Sequence, residues 1–302
     1  MLRVAYQGAP GAYSEEAVVR LWPHATPIPL RECIDVARAV DRGDVDAGLL
    51  AVENTLAGSV VASYDALASC EQVVAIGETV IGIHHCVLGV PGASLDSVRW
   101  VESHPVALAQ CASFFERNPR LQPRATYDTA GSAMEIAQAG DPHRAALASR
   151  MAAVHYGLDI LAADVEDRPD NQTRFVAISR SSVVLPDGSP ARSILLVTVP
   201  NTPGSLHRLL GPFAEYGLNL SKLESRPTGE PWSYRFIVEI EHRAGDVAMA
   251  DALKLVQGMV ESLRLVGTYA TGAYTWEGLS RRTSSARTSS SETPSARRAT
   301  SV

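Results

Sequence analysis

Thr173-Arg174-Phe175 follows the polar pair Asn171-Gln172 and leads straight into the apolar run Val176-Ala177-Ile178. A hydroxyl and a guanidinium at a strand mouth lie on opposite faces, and polar side chains placed there commonly line a site. A second dense group is Glu53-Asn54-Thr55 with Gly58-Ser59, which brings a carboxylate, an amide and two hydroxyls together just after the strand-like Ala47–Ala51. More hydroxyls stand where helices should begin: Ser14 after Gly11-Ala12-Tyr13, Ser59 after Gly58, Ser103 before His104-Pro105, and Thr129 after Asp128. Free N–H groups at helix starts favour carboxylates or phosphates, so these residue types point to an anion site, not to a particular reaction. Each is equally compatible with ordinary capping, and Glu15-Glu16 would repel an anion at Ser14 if turned inward.

Other chemistries lack their residues. No G-x-x-x-x-G-K-[ST] loop occurs, and Gly8-Ala9-Pro10-Gly11 lacks the spacing of a dinucleotide fingerprint, so no nucleotide cofactor is expected. Neighbours on a strand face opposite ways, so His84-His85-Cys86 is read as structural and no metal is expected. No G-x-S-x-G elbow marks a serine hydrolase. Cys33, Cys70, Cys86 and Cys111 lie far apart without a C-x-x-C pair, which argues against disulfide and metal roles.

The elements that must position these residues follow from patterning. The chain of 302 residues is 46% hydrophobic and 20% charged, a composition that fits roughly two globular domains. Strands near Arg3–Gln7, Ala47–Val52, Val73–Ile81 and Ala145–Ala148 alternate with helical stretches at Ser14–Leu21, Cys33–Asp41, Val60–Ser69, Pro105–Arg117 and Ala130–Ala139. This predicts an α/β layered domain over residues 1–180, its sheet largely parallel. Ser, Pro, Asp and Gly cluster at 181–190, the expected linker. From there to about 272 the order is βαββαβ, with strands at Ser193–Val199, Leu218–Leu223, Tyr234–Glu241 and Leu265–Tyr269 and helices at Ser205–Tyr216 and Val247–Leu263. That order predicts a ferredoxin-like sandwich. Residues 279–302 are nearly devoid of large apolar side chains and are expected to be disordered.

Those last residues hold five arginines against Glu292, about +4, so with a net charge of -6 the remainder sits near -10. Nucleic acid is therefore an improbable partner. The N-terminus Met1–Tyr6 runs into a strand without a signal-peptide pattern, and no apolar run reaches spanning length, so a cytoplasmic protein without a membrane partner is expected. The glycosylation match in Asn171-Gln172-Thr173 then carries no weight.

Taken in order, Ala5–Ser14, Glu53-Asn54-Thr55 with Gly58-Ser59-Val60, Ser103-His104-Pro105 and Thr173-Arg174-Phe175 resemble prephenate dehydratase. Asn201-Thr202-Pro203-Gly204-Ser205-Leu206 and Glu224-Ser225-Arg226-Pro227 look like the two signatures of that family's regulatory ACT domain. The resemblance implies a first domain of two lobes, like a type-2 periplasmic binding protein, with the chain crossing near Gly82 and returning near Asn171. It also implies a reaction without a cofactor, in which prephenate loses carbon dioxide and water to give phenylpyruvate on the way to phenylalanine. Thr173 would serve the leaving hydroxyl, and Ser14, Asn54, Thr55, Ser59, His104, Arg174 and Phe175 would line the substrate site, Phe175 chiefly by packing and fixing the return to the first lobe. Arg174 is open between a substrate carboxylate and an ion pair with Asp164, Glu166, Asp167 or Asp170. Phenylalanine would bind at Asn201, Gly204, Ser205 and Leu206 with Glu224, Ser225, Arg226 and Pro227, between subunits of a homodimer or a dimer of dimers. Two departures stand out: Val106 where the family usually has glutamine, and Ser205 where it usually has alanine. The family pattern begins at once after Met1, which predicts a monofunctional enzyme. Rival expectations are an arogenate dehydratase and a non-catalytic amino-acid sensor.

Overall fold

The computed structural model describes residues 1–271; the tail expected at 279–302 lies outside the described residues. The first lobe comprises β1 (Arg3–Gln7), α1 (Tyr13–Leu21), β2 (Thr26–Leu30), α2 (Cys33–Arg42), β3 (Ala47–Asn54), β4 (Gly58–Ser59), α3 (Val61–Ser69) and β5 (Val74–Gly82). The second lobe comprises β6 (Cys86–Gly89), β7 (Trp100–Ser103), α4 (Pro105–Ala109), α5 (Ala112–Arg117), β8 (Gln122–Ala125), α6 (Thr129–Ala139), β9 (Arg144–Ala148), α7 (Arg150–Tyr156) and β10 (Asp159–Ala162). The chain then re-enters the first lobe as β11 (Gln172–Ser179). A third unit follows: β12 (Pro190–Thr198), α8 (Ser205–Glu215), β13 (Asn219–Pro227), β14 (Tyr234–Arg243), α9 (Val247–Gln257) and β15 (Ser262–Ala270).

The first lobe's sheet runs β2-β1-β3-β11-β5 with β4 beside β3, and the second lobe's runs β10-β6-β9-β7-β8. Neither is largely parallel, contrary to the expectation from element alternation. β1 is parallel to β2 and β3, but β11 lies antiparallel between β3 and β5, and β6 is antiparallel to β9 and β10. The route of the chain explains this. A strand that returns from the second lobe enters at the end where β5 left, so it must run back along β5, and Gln172 pairs with Gly82. Both crossings thus lie side by side, and Thr173 stands at their junction, opposite Asn54 on one side and Ile81 on the other.

Local sequence accounts for the elements that hold this junction. In α2, Cys33, Val36, Ala37 and Val40 recur at helical spacing and are buried, and Gly43 ends the helix at φ 77°. β3 and β11 are central strands, so Leu49-Leu50 and Phe175-Val176-Ala177-Ile178 are buried on both faces and read as continuous apolar runs. The helix expected over Pro105–Arg117 is broken between α4 and α5, where the Gln110 carbonyl accepts from the Asp167 N–H at 2.8 Å. The helix expected to reach Leu263 stops at Gln257, because Ser262–Ala270 forms the edge strand paired with β12.

The third unit's sheet, β13-β14-β12-β15, is antiparallel throughout and buries both faces. Leu195 and Val197 of β12 face α8 and α9, packing with Leu209, Phe213, Met249 and Val256. Ile194 and Leu196, on the opposite face by strand alternation, join Ile237, Val266 and Tyr269 against Tyr64, Leu67, Val176 and Ile178 of the first lobe. At Gly267 the two backbones approach so closely that an added Cβ would run into the Ala75 carbonyl oxygen. Among the described residues no helix is long and apolar enough to cross a membrane.

Candidate active site

Thr173 is buried at the junction, and its Oγ1 accepts a hydrogen bond from Asn54 Nδ2 at 3.0 Å. Asn54 ends β3, where its Oδ1 accepts the N–H groups of Leu56 (3.0 Å) and Ala57 (2.8 Å), a side-chain turn that fixes the amide. Its Nδ2 also donates to Asn171 Oδ1 at 2.8 Å, and Asn171 Nδ2 donates to Gln110 Oε1 at 3.0 Å. Gln110 Oε1 lies 3.0 Å from His85 Nε2, and His85 Nδ1 lies 2.9 Å from the Tyr13 hydroxyl. A ladder of amides therefore links both lobes along the crossings. Buried polar groups in such a network are costly to leave unpaired, which makes it rigid.

Sequence reading found Thr173 and Asn54 but missed Gln110, Asn171, His85 and Tyr13. The available signal was the crossing itself: Asn171 is one expected crossing point, and His85 lies just beyond the other, Gly82. Val106, by contrast, is exposed, and only its main chain is engaged, its N–H by His104 and its carbonyl by the Gln110 N–H.

The hydroxyls expected as helix caps do not cap. Ser14 is the second residue of α1, which starts after Ala12 without a side-chain cap. Ser103 donates to the Leu147 carbonyl at 2.6 Å, and His104 instead caps α4, its Nδ1 accepting from Val106 N–H. Thr129 opens α6, which Asp128 caps by accepting from Gly131 N–H at 2.9 Å. The hydroxyl cap that does form, Ser149 on α7, was not anticipated. An offset of one residue moves a side chain from the capping position into the first turn. Glu15 does turn inward, but its carboxylate is occupied by Gly11 N–H (2.6 Å), the Tyr6 hydroxyl (3.1 Å) and His155 (3.3 Å). It fixes the glycine loop, whose Gly11 packs so closely on α7 that a Cβ would reach Ala152 Cα at 2.6 Å.

Arg174 points away from Thr173, toward the third unit. Its guanidinium meets Glu239 of β14 (2.9 Å), Glu53 (2.9 Å) and Glu78 (3.3 Å), and Arg192 of β12 adds 2.6 Å to Glu78 and 2.8 Å to Glu241. The Tyr64 hydroxyl donates to Glu239 at 2.7 Å, and Lys222 of β13 reaches Glu53 at 3.6 Å and Ser59. Burial raises the Glu53 carboxyl, but Arg174 and Lys222 outweigh it and hold it below its ordinary value. Burial opposes the charge on Arg174, yet Glu239 and its neighbours strengthen its hold on the proton. The ion-pair alternative for Arg174 holds in kind but not in its partners. Its partners are not the upstream acids: Asp164 pairs with Arg150, Glu166 holds His84, Asp167 accepts from Ser113 N–H, and Asp170 pairs with Arg168. Its guanidinium stands among three other carboxylates. Ser59 belongs to the same interface, not to a helix start. Phe175 is 1% exposed in the core with Tyr6, Leu49 and Ile81, so it packs and does not face a ligand. Thr55 donates to the Asp170 carbonyl (3.3 Å) and accepts Gln172 N–H (3.0 Å), binding β3 to the return crossing.

His84, Asp164 and Glu166 bring ligand atoms within 4.8 Å of one another. Arg150 already neutralises Asp164 at 2.7 Å, and Glu166 already accepts from His84 and the His85 N–H.

In the third unit, Gly204 caps α8 at φ 82°, Ser205 meets Thr202 (2.8 Å) and Arg208 (2.9 Å), and Asn201 donates to the Trp232 carbonyl (3.4 Å). Leu206 packs at the edge of that core. Glu224 pairs with Lys222 (3.4 Å) and Arg226 with Asp65 of α3 (2.9 Å), while Ser225 is exposed and Pro227 ends β13. Two of the residues expected to hold an effector are thus engaged with the first domain or with β13 itself.

Residues 4–183 match the family model for prephenate dehydratase, and residues 193–254 match that for the ACT domain. The chain belongs to the prephenate dehydratase family. It is 34% identical to arogenate dehydratase/prephenate dehydratase 2, chloroplastic, of Arabidopsis thaliana, over 89% of this chain and 72% of that protein. Among solved structures it resembles prephenate dehydratase from Arthrobacter aurescens in complex with L-Phe, at 28% identity and TM-score 0.83, covering 95% of this chain and 98% of that one. It also resembles GqqA, described as a novel type of quorum-quenching acylase, at 34% identity and TM-score 0.82, covering 89% and 98%. As a member of the prephenate dehydratase family the chain is a carbon–oxygen lyase, with an α/β dehydratase domain followed by an ACT domain.

Proposed function

We propose that this chain converts prephenate to phenylpyruvate, carbon dioxide and water, with Thr173 at the leaving hydroxyl. The observation that carries the reading is the Asn54 donation to Thr173 Oγ1 at 3.0 Å. With that oxygen accepting, the threonine's own proton is left for the substrate. Threonine is too weak an acid to give its proton up outright, so it polarises the departing oxygen by hydrogen bonding. The cleft's remaining task is to keep the departing carboxylate poorly solvated so that its electrons flow into the ring. Ser14, Thr55 and His104 are carried as substrate contacts by the family match alone. An acylase nucleophile would need a base at Thr173, whereas its neighbour is an amide donor, which cannot take a proton.

The second domain is read as a phenylalanine sensor, with Gly204–Leu206 and Glu224–Pro227 as effector contacts between subunits. β13 pairs only with β14 among the described residues, and Leu223 on it is exposed, so the edge suits pairing with a second copy in a dimer or dimer of dimers. A cytoplasmic location completes the reading.

The test is turnover of purified protein on prephenate and on arogenate, with and without phenylalanine. Thr173→Ala should fold normally and lose most of kcat; near wild-type rates would remove Thr173 from the chemistry, and no turnover of either substrate by the wild type would sink the reading.

A further inference from the structure

The amide ladder ends on a group that the reaction does not use. His85 is 2% exposed, between β5 and β6, with its ring edge-on to Tyr13 at 5.6 Å. Donor directions along the ladder can be assigned because it begins at main-chain amides. Leu56 and Ala57 N–H groups both donate to Asn54 Oδ1, so the Asn54 carboxamide cannot be reversed. Its Nδ2 then faces Asn171, whose oxygen must accept and whose Nδ2 must donate to Gln110. The Gln110 oxygen is therefore an acceptor, and the ring nitrogen 3.0 Å from it must bear a hydrogen.

We infer that His85 carries its proton on Nε2 and acts as a positioning residue: it pins the Gln110 carboxamide with the oxygen in the ladder and the NH2 free. Gln110 Nε2 makes no hydrogen bond to the described residues, so pinning the oxygen leaves two donors for a ligand. This inference rests on the proposed dehydratase reading and adds a second fixed donor group to Thr173. The tautomer also bears on the far side of the ring. Tyr13 has one proton and two acceptors in reach, His85 Nδ1 at 2.9 Å and the His84 carbonyl at 2.8 Å. With hydrogen on Nε2 of a neutral ring, Nδ1 offers a lone pair, and the single Tyr13 proton is shared between it and the His84 carbonyl. The titratable groups facing the ring are Tyr13, His84 and Glu166, the last holding the His85 N–H at 2.9 Å. Burial outweighs the Glu166 charge and keeps the ring neutral more readily than an exposed histidine.

Gln110 alone in the ladder belongs to the second lobe; His85 and Asn171 lie on the crossings and Asn54 and Tyr13 in the first lobe. Pinning it therefore fixes one wall of the cleft against the other. Without the His85 donor, the Gln110 oxygen keeps one partner, Asn171, and the carboxamide can turn.

Nitrogen-15 NMR of histidine-labelled full-length protein reads the tautomer directly. A protonated Nε2 with an unprotonated Nδ1 is expected, and the opposite tautomer overturns the inference. His85→Gln keeps an N–H donor near the same place and should retain most of kcat, whereas His85→Leu should lose about tenfold in kcat with KM nearly unchanged. Equal losses in both variants, or none in His85→Leu, overturn the positioning role. If the wild type turns over neither substrate, the dehydratase reading fails, and the tautomer measurement still decides the state of His85.

Discussion

Glu239→Gln removes one charge from the buried cluster that joins the dehydratase domain to the ACT sheet. Glu239 is fully buried, and its carboxylate receives Arg174 at 2.9 Å and the Tyr64 hydroxyl at 2.7 Å. The innermost charges are balanced, Arg174 and Arg192 against Glu78 and Glu239, while Glu53 and Glu241 stand at the rim with side chains 42% exposed. Removing one partner of a buried pair costs about 3–5 kcal/mol, because the remaining charge stays desolvated without compensation. The rim carboxylates soften this, and glutamine still accepts one hydrogen bond, so the lower end, about 3 kcal/mol, is expected. Urea unfolding of wild type, Glu239→Gln, Arg174→Met and the double variant gives the coupling energy, expected at about 1.5 kcal/mol or more for groups in direct contact. A loss under about 1 kcal/mol together with additive variants would show the cluster to be solvated and the reasoning wrong. Since Glu239 lies on the ACT sheet and Arg174 points away from Thr173, the same variant should weaken inhibition by phenylalanine more than it lowers kcat.

Gly267→Ala would push a methyl group into the Ala75 carbonyl, so the melting temperature should fall in a thermal scan, with a cost of about 1–3 kcal/mol from the forced shift. Glu53 and Glu241 have carboxyls held below the ordinary 4.5, so the stability they contribute is present above that value and lost as pH falls through their lowered folded values. An acid titration followed by circular dichroism should show wild type losing stability more steeply below that point than Glu53→Gln. Asp128→Ala should cost about 1 kcal/mol by removing the α6 cap, measured by urea unfolding. Ser225→Ala and Arg226→Ala should raise the phenylalanine concentration needed for half-inhibition while turnover without effector persists.

What could be read from the sequence was local. β1, β3, α1 and α2 are legible from apolar spacing because each buries its own face, and Thr173 stood out because polar residues opened an apolar strand. Strands β7, β8 and β10 have four residues each and no alternation long enough to detect. The antiparallel insertion of β11 depends on pairing with β3 more than a hundred residues away, for which no local pattern exists. The ion-pair partners of Arg174 were out of reach for the same reason. Its nearest acids in sequence, Asp164 to Asp170, are spent on other groups, and its partners come from β3, β5 and β14. Gln110 escaped notice because a helix-like pattern through Arg117 hid the break that frees its carbonyl and turns its amide into the ladder.

The two-sided burial of the ACT sheet separates units of descent from units of folding. Family boundaries near 183 and 193 invite the chain to be cut there. Such a cut would strip Ile194, Leu196, Ile237, Val266 and Tyr269 from the first lobe and leave Tyr64, Leu67, Val176 and Ile178 wet. It would also take Glu239 from Arg174 and Arg192 from Glu78. The severed catalytic piece would expose a sticky apolar plate bearing Glu53 and Glu78 against Arg174 alone, so loss of regulation and loss of solubility would arrive together. Any lineage that sheds its sensor must first repaint that plate.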